Sequence, residues 1–184
     1  MNYPLPKAFA VAVQLESRLA PFCERIEIAG SIRRQKETVG DIEILFVPKS
    51  AKRMRDLFIE EEYSLAWAEV DRMIGKELDK RPNVNGQVAW GDQNRLAIHT
   101  ASGIPVDFFS TTHDKWWNSL VVRTGGKENN MAICAEAIRK GWNFEAYGTG
   151  YHRTLGDKPH HQTTSERDVY EFIGLRYIRP EDRK

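Results

Sequence analysis

Gly30-Ser31-Ile32-Arg33-Arg34, then five residues, then Gly40-Asp41-Ile42-Glu43-Ile44-Leu45-Phe46-Val47: this stretch decides the fold. Residues 41–47 open in polar/apolar alternation and are rich in β-prone side chains, which predicts a strand. Just upstream, Arg25-Ile26-Glu27-Ile28-Ala29 alternates strictly, so two strands flank a polar loop. Side chains two apart on a strand share a face. Asp41 and Glu43 therefore point together, while Ile42, Ile44 and Phe46 point to the opposite, buried side. Two carboxylates at one spot repel and raise each other's pKa. A divalent cation removes that penalty, and hard oxygen donors suit Mg²⁺. The Gly30-Ser31 pair lets backbone N–H groups and a hydroxyl approach an anion, and Arg33 or Arg34 can add a charge-assisted fork to phosphate.

Upstream, Pro6 opens a helix running to Pro21, with Phe9, Val13 and Leu19 as its apolar positions together with Ala10 and Ala12. Downstream, residues 51–78 are rich in Ala, Leu, Met, Glu, Lys and Arg. They predict one or two helices broken near Glu60–Glu62, with that acidic triplet as a solvated face. Pro82-Asn83-Val84-Asn85-Gly86 is a turn cluster. Arg95–Thr100 and Ile104–Ser110 form a hairpin through Ala101-Ser102-Gly103. Asp107 is the lone charge in its apolar strand, with Ile104, Val106 and Phe108 facing the other way, and it offers a third carboxylate. After Thr112 the pattern turns helical: His113–Val122, a break at Thr124-Gly125-Gly126, then Lys127–Lys140 ended by Gly141. Residues 147–163 read as loop or a short hairpin. Ser165–Ile173 is a last helix, capped by Thr164 or Ser165 and stopped by Gly174.

A length of 184 residues fits one domain or two small lobes sharing a core. Lys+Arg 27 against Asp+Glu 26 leaves +1, so any nucleic-acid binding is local rather than driven by global charge. Hydrophobic residues at 41% and charged residues at 29% exclude wholesale disorder. Cys23 and Cys134 fit neither a disulfide framework nor a zinc spacing. The N-terminus lacks a signal pattern and no apolar run approaches the ~18 residues of a membrane span, so the expected location is cytoplasmic, with no membrane partner. Trp116 and Trp117 read as packing, one ring in the core and one at its edge, rather than as base-stacking platforms. His152, His160 and His161 lack the carboxylate or thiol partners of a metal cluster. Arg153, Lys158, Arg167, Arg176, Arg179 and Arg183 are interleaved with acids and read as a solvated face.

Taken together, these segments resemble the family X DNA polymerases, the DNA polymerase beta-like group of the nucleotidyltransferase superfamily. Gly30-Ser31-Ile32-Arg33-Arg34 to Gly40-Asp41-Ile42-Glu43 resembles the family's Gly-Ser-x-Arg-Arg and Gly-Asp-x-Asp pair, and Val106-Asp107 its third-carboxylate strand. Arg123-Thr124-Gly125-Gly126 with Asn129-Asn130 is similar to its Thr-Gly-Ser turn and following helix, and Lys140-Gly141 to Tyr147-Gly148 to the strand beyond. Residues 174–183, Gly-Leu-Arg-Tyr-Ile-Arg-Pro-Glu-Asp-Arg, resemble its C-terminal signature. The resemblance implies an α+β chain in the minimal form of small viral members. Residues 1–111 would be a catalytic palm, a mixed or antiparallel sheet backed by helices. Residues 112–184 would be a small helical lobe with a short hairpin that closes on the nucleotide. It further implies a monomer acting in repair-type gap filling on primer-template or gapped DNA, with a nucleoside triphosphate as donor and weak, salt-sensitive grip on DNA. Asp41, Glu43 and Asp107 would hold two Mg²⁺ ions, or Mn²⁺, and Asp107 would take or orient the primer 3′-hydroxyl proton. Gly30, Ser31, Arg34 and Gly40 would hold the triphosphate, with Arg123, Gly125, Lys127 and Asn130 beside the rest of the nucleotide.

The chain departs from the family pattern at three places. Glu43 stands where the family has Asp. Val122 and Arg123 stand where it places an aromatic pair. Cys134 stands where it presents an Arg to the template, and can equally be core filler with Met131 and Ile138. Low fidelity and weak sugar discrimination are the expected consequences. The rival readings are template-independent transfer with the same carboxylates, and a binding module without catalysis. The whole reading requires that the acid at 107 meet the other two and that no lysine or arginine fill the gap between them.

Overall fold

The computed structural model describes residues 2–56, 59–153 and 160–184. Strand β1 (Tyr3–Pro4) leads into helix α1 (Leu5–Leu19), and β2 (Cys23–Ile28) into the single turn α2 (Gly30–Arg33). Next come β3 (Thr38–Val39), β4 (Ile42–Pro48), β5 (Ser50–Asp56), β6 (Ile59–Ser64), helix α3 (Leu65–Met73), β7 (Leu78–Lys80), β8 (Asn94–His99) and β9 (Pro105–Ser110). Beyond a short 3₁₀ turn, the chain forms α4 (Trp116–Thr124), α5 (Lys127–Arg139), β10 (Trp142–Phe144), β11 (Gly150–Arg153), β12 (His160–Gln162) and α6 (Glu166–Glu171).

The central sheet has the order β2-β4-β9-β8-β7 and is mixed: β4 and β9 run parallel and the other neighbours antiparallel. One face buries Ile42, Ile44, Phe46, Val106 and Phe108 under α1 and α3. Phe46 meets Trp67 edge-on at 4.8 Å. The alternation at the start of β4 thus does what the sequence implies. The helix α1 is also where expected, but its buried stripe is Ala8, Val11, Ala12, Leu15 and Leu19, whereas Phe9 is 51% exposed and Val13 also faces solvent. Positions 8, 12, 15 and 19 follow the 3.6-residue period, and the small alanines let the helix lie close on the sheet. The large side chains at 9 and 13 point elsewhere.

Residues 51–64 correct the helical expectation. β5 and β6 form an antiparallel ribbon in which Arg53 faces Glu61 and Met54 faces Glu60. Lys52 Nζ reaches Glu60 Oε2 at 2.9 Å, and Arg53 Nη2 reaches Glu61 Oε2 at 3.2 Å. Cross-strand charge pairing overrides a helix propensity worth only tenths of a kcal/mol per residue. The second half of the predicted region is helical: α3 is capped by Ser64, whose hydroxyl accepts from the Trp67 N–H at 3.1 Å.

In the C-terminal part, Val121, Ile133, Ala137, Tyr151, Val169, Tyr170 and Ile173 form a separate core. Buried Asn118 ties it together, donating to the carbonyls of Glu145 (2.6 Å) and Gly150 (3.2 Å) and accepting from the Thr163 hydroxyl (2.8 Å). Ser165 caps α6, as read from the sequence, by accepting from the Asp168 N–H at 3.0 Å. β11 pairs with β12 as a hairpin; residues 154–159, Lys158 among them, lie outside the described residues. The core-filler reading of Cys134 is corrected: α5 buries Asn129, Ile133 and Ala137, and leaves Met131 60% and Ile138 63% exposed with Cys134 on the same outer side. Trp116 is fully buried with Leu45, Val47, Phe109 and Leu120, and Trp117 packs at the edge of that cluster. The Arg25 guanidinium lies over both indoles at 4.2 and 4.3 Å. This cluster joins the second face of the sheet to α4. No helix among the described residues is long and apolar enough to cross a membrane.

Candidate active site

Sheet register builds the site. In the parallel pairing of β4 and β9, Glu43 lies directly opposite Asp107, and Asp107 in turn lies opposite Leu96 of β8. On the other side of β4, the Ala29 N–H donates to the Glu43 carbonyl at 2.8 Å, which brings the Gly30-Ser31 turn beside Glu43. Gly30 has φ +62°, and a Cβ there would collide with the Glu43 carboxylate. Glycine is required twice over, by the backbone conformation and by the closeness of Glu43. Asp41 directly precedes β4. Its charge, with that of Asp107, acts on Glu43.

The electrostatics of these acids are strained upward. Burial first, then the charges of Asp41 and Asp107, push the Glu43 carboxyl up to about 7, although Arg123 and Arg34 oppose the shift. Burial also raises Asp107 above its ordinary value, outweighing the charge and hydrogen bond of Arg81. At this turn, the Ser31 hydroxyl and the Arg34 Nε are buried without a partner among the described residues. Donors left unpaired at a buried site cost free energy unless an acceptor arrives. The Arg34 Nη1 donates to the Thr124 carbonyl and approaches Gly125, which has φ +66°.

Arg33, adjacent to the cradle, has a different role from Arg34. Its guanidinium grips Glu166 of α6 in a two-pronged bond (2.8 and 2.7 Å) and donates to the Thr124 hydroxyl at 2.8 Å. Arg183 donates to the same Glu166 carboxylate at 3.1 Å. Arg183 is wholly buried, which removes it from the solvated basic face expected for the C-terminal arginines. Arg167, Arg176 and Arg179 remain on the surface, and Arg153 stacks on Trp142 at 4.1 Å.

Of the sequence-predicted residues, the fold brings together Gly30, Ser31, Arg34, Glu43, Asp107 and, through Arg34, Gly125. Arg123 stacks on Phe109 at 3.4 Å and faces Tyr147 at 4.9 Å, close enough for its charge to act on both Glu43 and Asp107. Asn130 donates its amide to the Val122 carbonyl at 3.0 Å, and Lys127 is exposed in the first turn of α5. Gly40 is exposed beside Asp41. His161 bonds Asp168 at 2.9 Å and stacks on Phe172, while His160 bonds the Thr149 hydroxyl at 2.6 Å.

Arg81 is the residue sequence reading missed. Its Nη2 donates to Asp107 Oδ1. Its backbone N–H bonds the Leu96 carbonyl at 3.0 Å, so it reaches Asp107 from the β8 side and not from the side of Glu43. Nothing local marks it, because the contact is made across a strand. Among the described residues, no three His, Cys, Asp or Glu side chains are gathered tightly enough to hold a metal ion as they stand. The donor chemistry nonetheless fits a hard divalent cation: carboxylates packed on one sheet face, with proton affinities raised by burial and by one another's charge. Arg81 holds one of those donors.

The architecture is an α+β one in which a mixed five-stranded sheet presents acids beside a glycine-serine turn. It superposes on the crystal structure of Leishmania infantum polymerase beta in a ternary P/T complex with a TM-score of 0.75 at 18% identity, covering 100% of this chain and 77% of that one. The family model described as DNA polymerase beta thumb matches residues 119–184. The chain is 26% identical to the DNA polymerase/3'-5' exonuclease PolX of Bacillus subtilis (strain 168), over all of this chain and 29% of that protein's length. The chain is thus similar to family X DNA polymerases in sequence and in fold.

Proposed function

We propose that this chain transfers a nucleotide from a (deoxy)nucleoside triphosphate to a DNA 3′-hydroxyl, directed by a template strand and suited to gap filling. The observation that carries the reading is the pairing of Glu43 with Asp107 across β4 and β9, beside a cradle with unpartnered Ser31 and Arg34 donors. Residues 1–111 act as the catalytic palm and residues 112–184 as the lobe that closes on the nucleotide. Asp41, Glu43 and Asp107 would hold divalent cations, Mg²⁺ by donor type, which would supply charge stabilisation to the transferring phosphoryl group. Backbone N–H groups at Gly30, the Ser31 hydroxyl and the Arg34 guanidinium bind the triphosphate oxygens, with Gly40 leaving room beside them. Asp107 takes the proton of the attacking 3′-hydroxyl. A new O–P bond forms at the α-phosphate, the bond to the β-phosphate bridging oxygen breaks, and pyrophosphate leaves. Gly125 and Asn130 flank the sugar and base. Arg123 faces the acids from the last turn of α4, and Lys127 adds a phosphate contact. DNA primer-template and nucleoside triphosphate are the partners.

Primer extension on gapped DNA, with and without a template strand, tests this reading. Template-dependent incorporation that disappears in Asp41→Ala and Asp107→Ala supports it. Equal incorporation without template moves the chain to template-independent transfer, and DNA binding without incorporation in the native chain makes it a binding module.

A further inference from the structure

We propose that Arg81 is a positioning residue that holds Asp107 away from the cation site until a divalent ion displaces it. The inference rests on the metal-dependent reading above. Arg81, Leu96, Asp107 and Glu43 form one row across the sheet, set by the Arg81 N–H bond to Leu96 and by the β8-β9-β4 register. Three guanidinium groups stand near the acids, and they are held differently. Arg34 is anchored on the Thr124 carbonyl. Arg123 is anchored by Phe109 at 3.4 Å and Tyr147 at 4.9 Å. Besides Asp107, Arg81 has only a long contact to the Pro82 carbonyl at 3.4 Å among the described residues, and its Nε is buried without a partner. Of the three, it is the one whose departure breaks least else, the long Pro82 contact alone.

A carboxylate oxygen occupied by a guanidinium donor is unavailable to a cation, and the guanidinium charge repels the incoming ion. The bond takes Oδ1 alone, so the ion and Arg81 oppose one another at Asp107 through charge and through the orientation of the carboxylate. Ion binding must weaken the Arg81 bond, and the Arg81 bond must lower the affinity for the ion by the same factor.

The experiment measures Mn²⁺ binding by the whole chain, from the electron-paramagnetic signal of free Mn²⁺, without nucleotide or DNA. Arg81→Gln is expected to bind Mn²⁺ about tenfold more tightly than the native chain, the change one lost charge-assisted hydrogen bond gives. Arg81→Lys should fall between them, and Arg53→Gln, on the exposed ribbon, should match the native chain. Equal or weaker binding by Arg81→Gln overturns the proposal while leaving the metal-dependent function standing. Binding by Arg81→Gln alone supports it in its strongest form. If neither chain binds, both the proposal and the function above fall. As a measurement on the native chain, independent of any folding defect in the variant, the Arg81 Nε–H nuclear resonance should shift in step with Mg²⁺ saturation. A resonance that stays fixed while Mg²⁺ binds overturns the proposal as well.

Discussion

Glu43 and Glu166 are both largely buried, and both lie against the turn that begins at Gly30, yet they answer burial in opposite ways. Burial alone would raise Glu166, but the hydrogen bonds and charges of Arg33 and Arg183 outweigh it and hold the carboxyl below its ordinary value. Glu43 has no side-chain hydrogen bond among the described residues, and burial with the charges of Asp41 and Asp107 lifts it to about 7. The same side chain is thus a structural tie in one place and an unmet demand for positive charge in the other. Arg33 and Arg34, neighbours in sequence, divide along the same line: the first is consumed by Glu166, and the second keeps a buried Nε with no partner among the described residues.

The largest effect that could break this contrast is at Glu43. Glu43→Gln should lower nucleotide incorporation on the order of a thousandfold, the scale of losing a group that supports charge stabilisation at a reacting centre. Its effect on stability should run the other way. A carboxyl whose folded pKa is raised costs stability as pH climbs from the ordinary 4.5 towards 7, because the unfolded chain ionises first. Glu43→Gln removes that cost, so its thermal midpoint should exceed the native one at pH 8 and match it near pH 4. A midpoint below the native value at pH 8 would make Glu43 a structural residue like Glu166.

Glu166→Gln is next. It leaves fully buried Arg183 and half of the Arg33 grip uncompensated, and breaking a buried pair in this way costs about 3 kcal/mol. The depressed carboxyl contributes stability above the ordinary 4.5, and loses it as pH falls through its lower folded value. Native and variant denaturant midpoints should therefore be far apart at pH 7 and converge in acid. A constant gap would remove the linkage.

These two sites were legible in the sequence to different degrees, and the reason is range. Asp41, Glu43 and the strand that carries them were read from two-residue alternation, and Asp107 from its isolation among apolar neighbours. Both signals are local. The α6 cap at Ser165 and the hairpin through Ser102 were local too, and both are present. Glu166 and Arg81 carried no such mark, since their partners lie 133 and 26 residues away. The β5-β6 ribbon misled for a related reason: Lys, Arg, Met and Glu favour helix one residue at a time, but their charges pair across strands. On α1, Phe9, Ala10 and Val13 were counted among the apolar positions but face solvent, and only Ala12 and Leu19 of the residues so counted lie on the buried face.

Gly30→Ala sharpens the contrast at smaller scale. The left-handed backbone at φ +62° costs a residue with a Cβ about 1–2 kcal/mol, and the added methyl must push the Glu43 carboxylate aside. Stability should fall by about that amount, while incorporation falls further than stability explains. The readout is incorporation by folded protein at a temperature where native and variant are both intact. If the fraction folded accounts for the whole loss, the closeness of Gly30 and Glu43 has no catalytic meaning.

The smallest effect belongs to carboxylates that water already serves. Glu60 and Lys52 on the ribbon are 2.9 Å apart, but each is more than half exposed. Solvent and salt screen such a pair, and ordering two long side chains offsets much of the attraction, so exposed pairs contribute below about 1 kcal/mol. Lys52→Gln should shift the denaturant midpoint by less than about 0.5 kcal/mol equivalent, and the shift should vanish in 1 M salt. A salt-resistant loss comparable to that of Glu166→Gln would mean that the ribbon is held by its charges as firmly as α6 is held by Arg33. Burial would then no longer be what separates the acids that bind this structure together from those that water serves.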